Sequence, residues 1–319
     1  VKNVGFGHGV PESAGSILEL DKDGVFTLMV THHEYGQGGH AGQVQLAANE
    51  LGVPIDSIQI VGPDTARTIP SGPTTASRMT FLTGNATVMV CQAMREDLFG
   101  RAAELLDAPP AQLKFLEDRI IDTVSDREIK LSDLGENFRY ERTYTSPTTV
   151  PLLEGEASKY GKPDFSSRMT YYSYIYNTQV AVVEVDMDTG DVRVLGIISA
   201  NDVGKIINPE IIEGQVHGGV MQGVGYALSE EFVVQEGYNK TNTLRKVGIP
   251  KANATPEIIP VNLEIAHPFG PQGLKGFAEG PSMATCPAIL NAIYDAVGAR
   301  INSLPAKKDK VLAAIQSQQ

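Results

Sequence analysis

Strands grouped as hairpins, set beside long helical patterns, predict a chain of mixed α and β structure. One hairpin pattern runs through residues 16–20 and 25–31 around Asp21-Lys22-Asp23-Gly24. A clearer one runs through 179–186 and 191–200 around Met187-Asp188-Thr189-Gly190. Apolar residues at helical spacing fill 84–106, 210–231 and 287–297.

The 319 residues allow two domains or one large one with a substantial core. Hydrophobic residues make up 42% without an apolar run of spanning length, so neither a transmembrane helix nor a signal peptide is read. A net charge of -12 argues against a nucleic-acid partner, which needs a basic face. Cys91 and Cys286 lie far apart in apolar helical patterns and read as buried thiols, in keeping with a reducing cytoplasm. The 32 glycines gather in short clusters, which lets backbone approach backbone or a ligand closely.

In chain order, Gly5, Gly7 and Gly9 superficially match a dinucleotide fingerprint, but the strand before it and the acidic residue after it are missing. His32-His33-Glu34-Tyr35-Gly36-Gln37-Gly38-Gly39-His40 is a glycine-rich loop running into a helix marked by Val44, Ala47, Ala48 and Leu51. Backbone N–H groups and the positive end of the helix dipole favour an anion there, typically phosphate. The histidines lack the i, i+4 pairing of the helical zinc motif, so no metal is assigned to them. A strand over 57–62 leads to a second small-residue loop over 70–79. Its hydroxyls and Arg78 suit a charged ligand through a forked guanidinium contact, against the alternative of a solvated surface turn. Strands over 113–122 and 128–131, a short helix capped by Ser132, and an irregular connection over 135–169 follow.

Asn208-Pro209 signals the start of the 210–231 helix, which carries Gly214, Gly218, Gly219, Gly223 and Gly225. Each costs up to ~1 kcal/mol against alanine, so tight packing or ligand approach must compensate. Gln215, His217 and Gln222 on this helix suit either a heterocyclic ligand or a satisfied polar core. A strand over 261–266 precedes Gly276-Phe277-Ala278-Glu279-Gly280-Pro281, and a last helix covers 305–315. Glu279 is the candidate general base. Phe277 and Ala278 would bury it, the setting that raises a carboxyl toward useful basicity. A glutamate that merely caps the next helix is the competing reading.

These segments in sum are similar to a known family. Glu34-Tyr35-Gly36-Gln37-Gly38, Thr74-Thr75-Ala76-Ser77-Arg78, Thr83-Gly84-Asn85-Ala86, Gln179-Val180-Ala181, Asp202-Val203-Gly204, Glu213-Gly214-Gln215, Gln222-Gly223 and the Glu279 segment keep their order and spacing over almost the whole chain. They resemble the C-terminal half of the molybdopterin-binding subunit of the xanthine dehydrogenase family, the molybdenum hydroxylases. The resemblance implies an α+β fold of mixed sheets and packed helices. It implies a first cofactor-binding domain over 1–140, rejoined by the C-terminal segment, and a second over 141–319 carrying Glu279. Gly36, Gln37, Gly38, Thr75, Ala76, Ser77 and Arg78 would contact the cofactor, and Gln215 would hydrogen-bond near the pterin. No residue of the chain would ligate the metal.

Glu279 would then be the base of a hydroxylation whose oxygen comes from water, at molybdenum with a terminal sulfido or selenido ligand. The loop chemistry resembles members using molybdopterin cytosine dinucleotide, whose extra phosphate Ser77 and Arg78 would suit. Electrons would leave through iron–sulfur clusters (2Fe-2S) and FAD on partner subunits. Family subunits carry a preceding half, so the expectation is one product of a split gene that pairs with a larger molybdopterin subunit, a fragment being the other reading. The size resembles medium subunits of the nicotinate dehydrogenase kind, which implies a small heteroaromatic substrate converted as nicotinate is to 6-hydroxynicotinate. Aldehyde or aryl-CoA oxidation and a non-catalytic scaffold are the alternatives. A nicotinamide-dependent dehydrogenase fits the glycines but not their placement.

Overall fold

The computed structural model describes residues 1–7, 9–135, 138–149 and 170–318. Strand β1 (Lys2–Val4) opens the chain, and β2 (Ser13–Leu20) pairs antiparallel with β3 (Phe26–Val30). Asp21 shapes their turn by accepting the N–H groups of Asp23 and Val25, both at 2.9 Å. Helix α1 (Gly39–Leu51) stops at Gly52, and β4 (Ile58–Val61) lies parallel to β3. Helix α2 (Met79–Leu106) crosses this sheet and starts five residues ahead of the predicted 84. The predicted strand over 113–122 is instead a hairpin, β5 (Leu113–Leu116) and β6 (Arg119–Asp122), reversed at Glu117, whose φ is 52°. β7 (Glu128–Lys130) extends it, and the expected Ser132 cap is absent, the short turn at 131–133 starting from Lys130.

Part of the expected irregular connection is β8 (Phe138–Thr145), which completes the sheet β4-β3-β2-β8. Its mixed polar sequence hid it, because it is an edge strand held by pairing with β2 and by the Arg139–Glu19 ion pair. Residues 150–169 of that connection lie outside the described residues.

β9 (Ser173–Ile175) pairs with β1. The second hairpin forms as predicted from β10 (Asn177–Val185) and β11 (Val192–Asp202). Helix α3 (Pro209–Leu228) follows, capped by Asn208, which accepts the Ile211 N–H at 3.0 Å. Two small strands, β12 (Val234–Gln235) and β13 (Tyr238–Asn239), and a single turn of helix, α4 (Leu244–Val247), lead to β14 (Glu257–Leu263). β14 runs parallel to β11. Helix α5 (Gly280–Val297) takes Pro281 into its first turn and contains the 287–297 apolar pattern, and α6 (Lys308–Gln316) is the last helix.

Two apolar cores result. Leu18, Phe26 and Leu28 of the first sheet pack against Leu51 of α1 and Met94 and Leu98 of α2. The second core joins Val4, Ile197, Val216, Val220, Ile289 and Ile293, and the first turn of α2 enters it through Phe81 and Leu82. Helix α2 is therefore a shared spine. Val311 and Ile315 of α6 pack in the second core. Cys91 and Cys286 are buried free thiols, as read, and burial pushes both upward in pKa.

Packing against α5 explains Gly219 and Gly223 of α3, while Gly214 and Gly218 face open space. A Cβ at Gly219 would stand 2.8 Å from Cβ of Pro281, and one at Gly223 only 2.4 Å from Cβ of Thr285, so α3 and α5 touch almost backbone to backbone. The sheet β10-β11-β14 lays one face on these helices. Its other face presents Val180, Val182, Ile198, Ile259, Val261 and Leu263, each between 42% and 55% exposed. Among the described residues no helix is long and apolar enough to cross a membrane.

Candidate functional site

Four helices begin at one place. Gly38 and Gly39 at the start of α1, Arg78 to Thr80 at the start of α2, Asn208 and Ile211 at the start of α3, and Glu279 at the N-cap of α5 all line a cavity of about 300 Å³. Each helix start carries a partial positive charge of roughly half a unit. Lys205 and Lys275 stand in the same wall, but Lys275 is paired with buried Asp202 at 2.6 Å and Lys205 lies 3.9 Å from Glu264, so the converging helix starts are what favour an anionic ligand there.

Glu279 sits on its rim. It occupies the N-cap position of α5, where the competing reading placed it, though its side chain makes no capping hydrogen bond. Instead Oε2 accepts the Ser77 hydroxyl at 2.5 Å and pairs with the Lys2 ammonium at 2.7 Å. Its own N–H donates back to Ser77 Oγ at 3.2 Å. No described residue hydrogen-bonds Oε1, so one oxygen is anchored and the other is open. The expected apolar burial is not found: the side chain is 47% exposed, because Phe277 turns into the second core while Glu279 turns outward. Lys2 was not legible as a partner, since it lies at the other end of the chain.

The 74–79 loop is strained and clamped. Ala76 and Ser77 are consecutive non-glycine residues in the left-handed region, φ 55° and 53°. Such residues cost ~1–3 kcal/mol each and persist only where the surroundings impose them. Here the Gly5 N–H donates to Ala76 O at 3.0 Å, and a Cβ at Gly276 would fall 1.6 Å from Ser77 O. Gly276 thus serves the close approach of backbone to backbone that clustered glycines permit.

Arg78 supplies the rest of the clamp. Arg78 lines the cavity, and its buried guanidinium donates to Pro73 O at 3.1 Å, Ser71 O at 2.5 Å and Glu12 Oε2 at 3.2 Å and lies over the Phe6 ring. The guanidinium that the sequence offered for a forked phosphate contact is held here by protein groups, as an anchor of the loop. Glu12, missed in the sequence, also accepts the Phe6 N–H at 2.6 Å and the Tyr172 hydroxyl at 3.4 Å.

The glycine-rich loop also departs from expectation. Its N–H groups are already used by its own Glu34, whose carboxylate accepts from Gly36, Gly38 and His40 at 2.8–2.9 Å. Partial burial disfavours that charge, but the three backbone bonds and nearby His40 outweigh it and hold the Glu34 carboxyl below its usual range. Gln37 lines the cavity with its amide folded back onto His33 O at 2.8 Å. Gly38 lines it too; Gly36 does not. Gln215 lies one helical turn beyond Ile211 and is also outside the lining. Of the nine residues singled out in the sequence, seven reach this cavity: Gln37, Gly38, Thr75, Ala76, Ser77, Arg78 and Glu279.

One lining side chain has no protein partner. His32 is 1% exposed, and neither ring nitrogen is hydrogen-bonded. The Gly39 backbone approaches it without reaching hydrogen-bond geometry. Burial, then the neighbouring His40, lowers its pKa to about 4, so it is a neutral imidazole. Converging helix starts and an unpaired buried imidazole fit a ligand that is both anionic and rich in hydrogen-bonding atoms, as a phosphorylated pterin is.

The molybdopterin cofactor-binding domain family matches residues 1–256. The chain belongs to the molybdenum hydroxylase family. This molybdenum hydroxylase chain is 32% identical to the aldehyde oxidoreductase of Megalodesulfovibrio gigas, over 99% of its own length and 32% of that protein. It is 30% identical to a probable xanthine dehydrogenase subunit of Bacillus subtilis, covering 98% and 40%. It is 29% identical to the nicotine 6-hydroxylase large subunit of Paenarthrobacter nicotinovorans, covering 93% and 36%. The chain thus spans well under half the length of these relatives. In structure it superposes on the aldehyde oxidoreductase of Desulfovibrio desulfuricans with a TM-score of 0.79 at 30% identity, over 98% of this chain and 31% of that one. Quinoline 2-oxidoreductase of Pseudomonas putida 86, at 22% identity and a TM-score of 0.81 over 99% and 41% of the two chains, shares the fold. The expected mixture of sheets and packed helices is the one observed.

Proposed function

We propose that this cavity binds the molybdopterin cofactor and that Glu279 is the general base of a hydroxylation carried out there. The observation that carries the reading is the convergence of four helix starts, remote along the chain, on one cavity with a single open carboxylate oxygen at its rim. When bound, the cofactor supplies the molybdenum at which water-derived oxygen is transferred and electrons are accepted. The chain's own residues do the rest. Ser77 and Lys2 hold Glu279 Oε2, which fixes the carboxylate and leaves Oε1 to receive the proton. The starts of α2 and α3, which face the cavity, offset part of the cofactor's negative charge. Thr75 and Ala76 present backbone to it from a rigid loop, and the cytosine dinucleotide form is the proposed variant.

The proposed substrate is an N-heteroaromatic acid of the nicotinate type; the relative named nicotine 6-hydroxylase supports a nitrogen heterocycle. Aldehyde oxidation is the second reading, favoured by the relative named aldehyde oxidoreductase. The proposed assembly pairs this chain with a larger molybdopterin polypeptide and with FAD and iron–sulfur subunits in the cytoplasm. The test is Glu279→Gln in the purified complex, assayed with nicotinate and with an aldehyde. Turnover falls by at least ~10²–10⁴-fold, the usual weight of a general base, while molybdenum content stays near wild type. Substantial residual turnover overturns the assignment of the base.

A further inference from the structure

We infer that His32 is a cofactor-binding residue, one ring nitrogen of its neutral imidazole hydrogen-bonding a polar atom of the heterocycle held in the cavity. This rests on the proposed function above and adds a contact that the sequence did not suggest.

His32 lies just beyond β3, at the entry to the glycine-rich loop, and lines the cavity while being 1% exposed. Both its ring nitrogens lack hydrogen-bond partners, although the polar groups around it are satisfied elsewhere. His32 O accepts from His40 Nε2 at 2.8 Å, the His33 N–H donates to Thr74 Oγ1 at 2.8 Å, and Gln37 Nε2 is bound to His33 O. The His40 ring, 5.0 Å away and steeply inclined, packs against His32 through its face or edge and offers it no hydrogen bond. Nε2 stands 3.1 Å from the position a Cβ at Gly39 would take, so the glycine leaves the imidazole room that any other residue there would fill.

A buried polar group without a partner is rare, and where one persists it marks a site completed by something else. The ring is neutral and carries one donor and one acceptor, so it is no phosphate clamp. Phosphate is left to the helix starts. His32 instead matches an uncharged amide-like or ring-nitrogen position of a pterin or pyrimidine. Removing its hydrogen-bonding capacity should weaken cofactor retention and relieve the cofactor-free fold of an unsatisfied group, two effects of opposite sign.

The experiment compares wild type, His32→Phe and His32→Gln in the complete complex. Molybdenum and pterin per complex are measured after prolonged dialysis, and thermal unfolding is measured on complex made in cells unable to synthesise the pterin. The expected result is at least a several-fold loss of molybdenum and pterin in His32→Phe, substantial recovery in His32→Gln, and a pterin-free His32→Phe Tm equal to or above wild type. Full retention in His32→Phe overturns the inference and leaves the proposed function standing. A loss of cofactor accompanied by a lowered pterin-free Tm overturns it as well, because the ring is then needed for packing. A wild-type complex without molybdenum and pterin refutes the proposed function, and this inference with it.

Discussion

Arg78→Met separates an anchor from a ligand contact. The guanidinium and the Glu12 carboxylate are 2% and 1% exposed and 3.2 Å apart, so the substitution leaves a buried carboxylate and two carbonyls without their donor. Breaking one side of a buried ion pair costs about 3–5 kcal/mol. Unfolding entropy of ~2.1 cal/mol/K per residue amounts to ~0.7 kcal/mol/K over 319 residues, so Tm should fall by about 4–7 °C. The assay is calorimetric unfolding of cofactor-free protein, with Glu12→Gln/Arg78→Met as second arm. The double variant should recover part of the loss, since it removes the stranded charge along with its partner. A Tm within about 1 °C of wild type, combined with lost cofactor, would refute the reasoning and return Arg78 to the phosphate contact read from the sequence.

Two further outcomes follow from the same geometry. Gly276→Ala places a methyl 1.6 Å from Ser77 O, which forces the strained loop away from Glu279; overpacking of this kind costs ~1–3 kcal/mol, and calorimetry should show it together with reduced turnover in the complex. Turnover matching wild type would show that the loop need not sit where it does. The lowered pKa of His32, about 4 when folded against 6.5, means that below pH 6.5 the unfolded chain binds a proton the folded chain refuses. Stability should therefore drop by up to ~3 kcal/mol as pH falls from 6.5 to about 4, and denaturant melts of His32→Phe should lack that part of the slope above about pH 4.5, before carboxylates titrate.

The sequence was most informative where local chemistry decides conformation. Both hairpins and the Asn208-Pro209 start are written in adjacent residues, and they appear where read. The edge strand β8 was illegible because its pairing partner, not its alternation, makes it a strand. The site follows the same division. The small-residue loops and Glu279 announce themselves by composition, and they do converge. How their polar groups are spent does not: Glu34 filling its own loop, Arg78 turned inward to Glu12, and Lys2 reaching Glu279 are contacts across space with no local signature. His32 read as one of several histidines until its lack of partners became visible.

The open face of the β10-β11-β14 sheet has a consequence for handling the molecule. Val180, Ile198 and Ile259 form one continuous aliphatic row across three strands, and such rows bind hydrophobic dyes and one another when water is the only neighbour. Chain produced by itself should precipitate at moderate concentration despite its strong negative charge, and a single lysine in place of Ile198, at the centre of that row, should keep it dispersed.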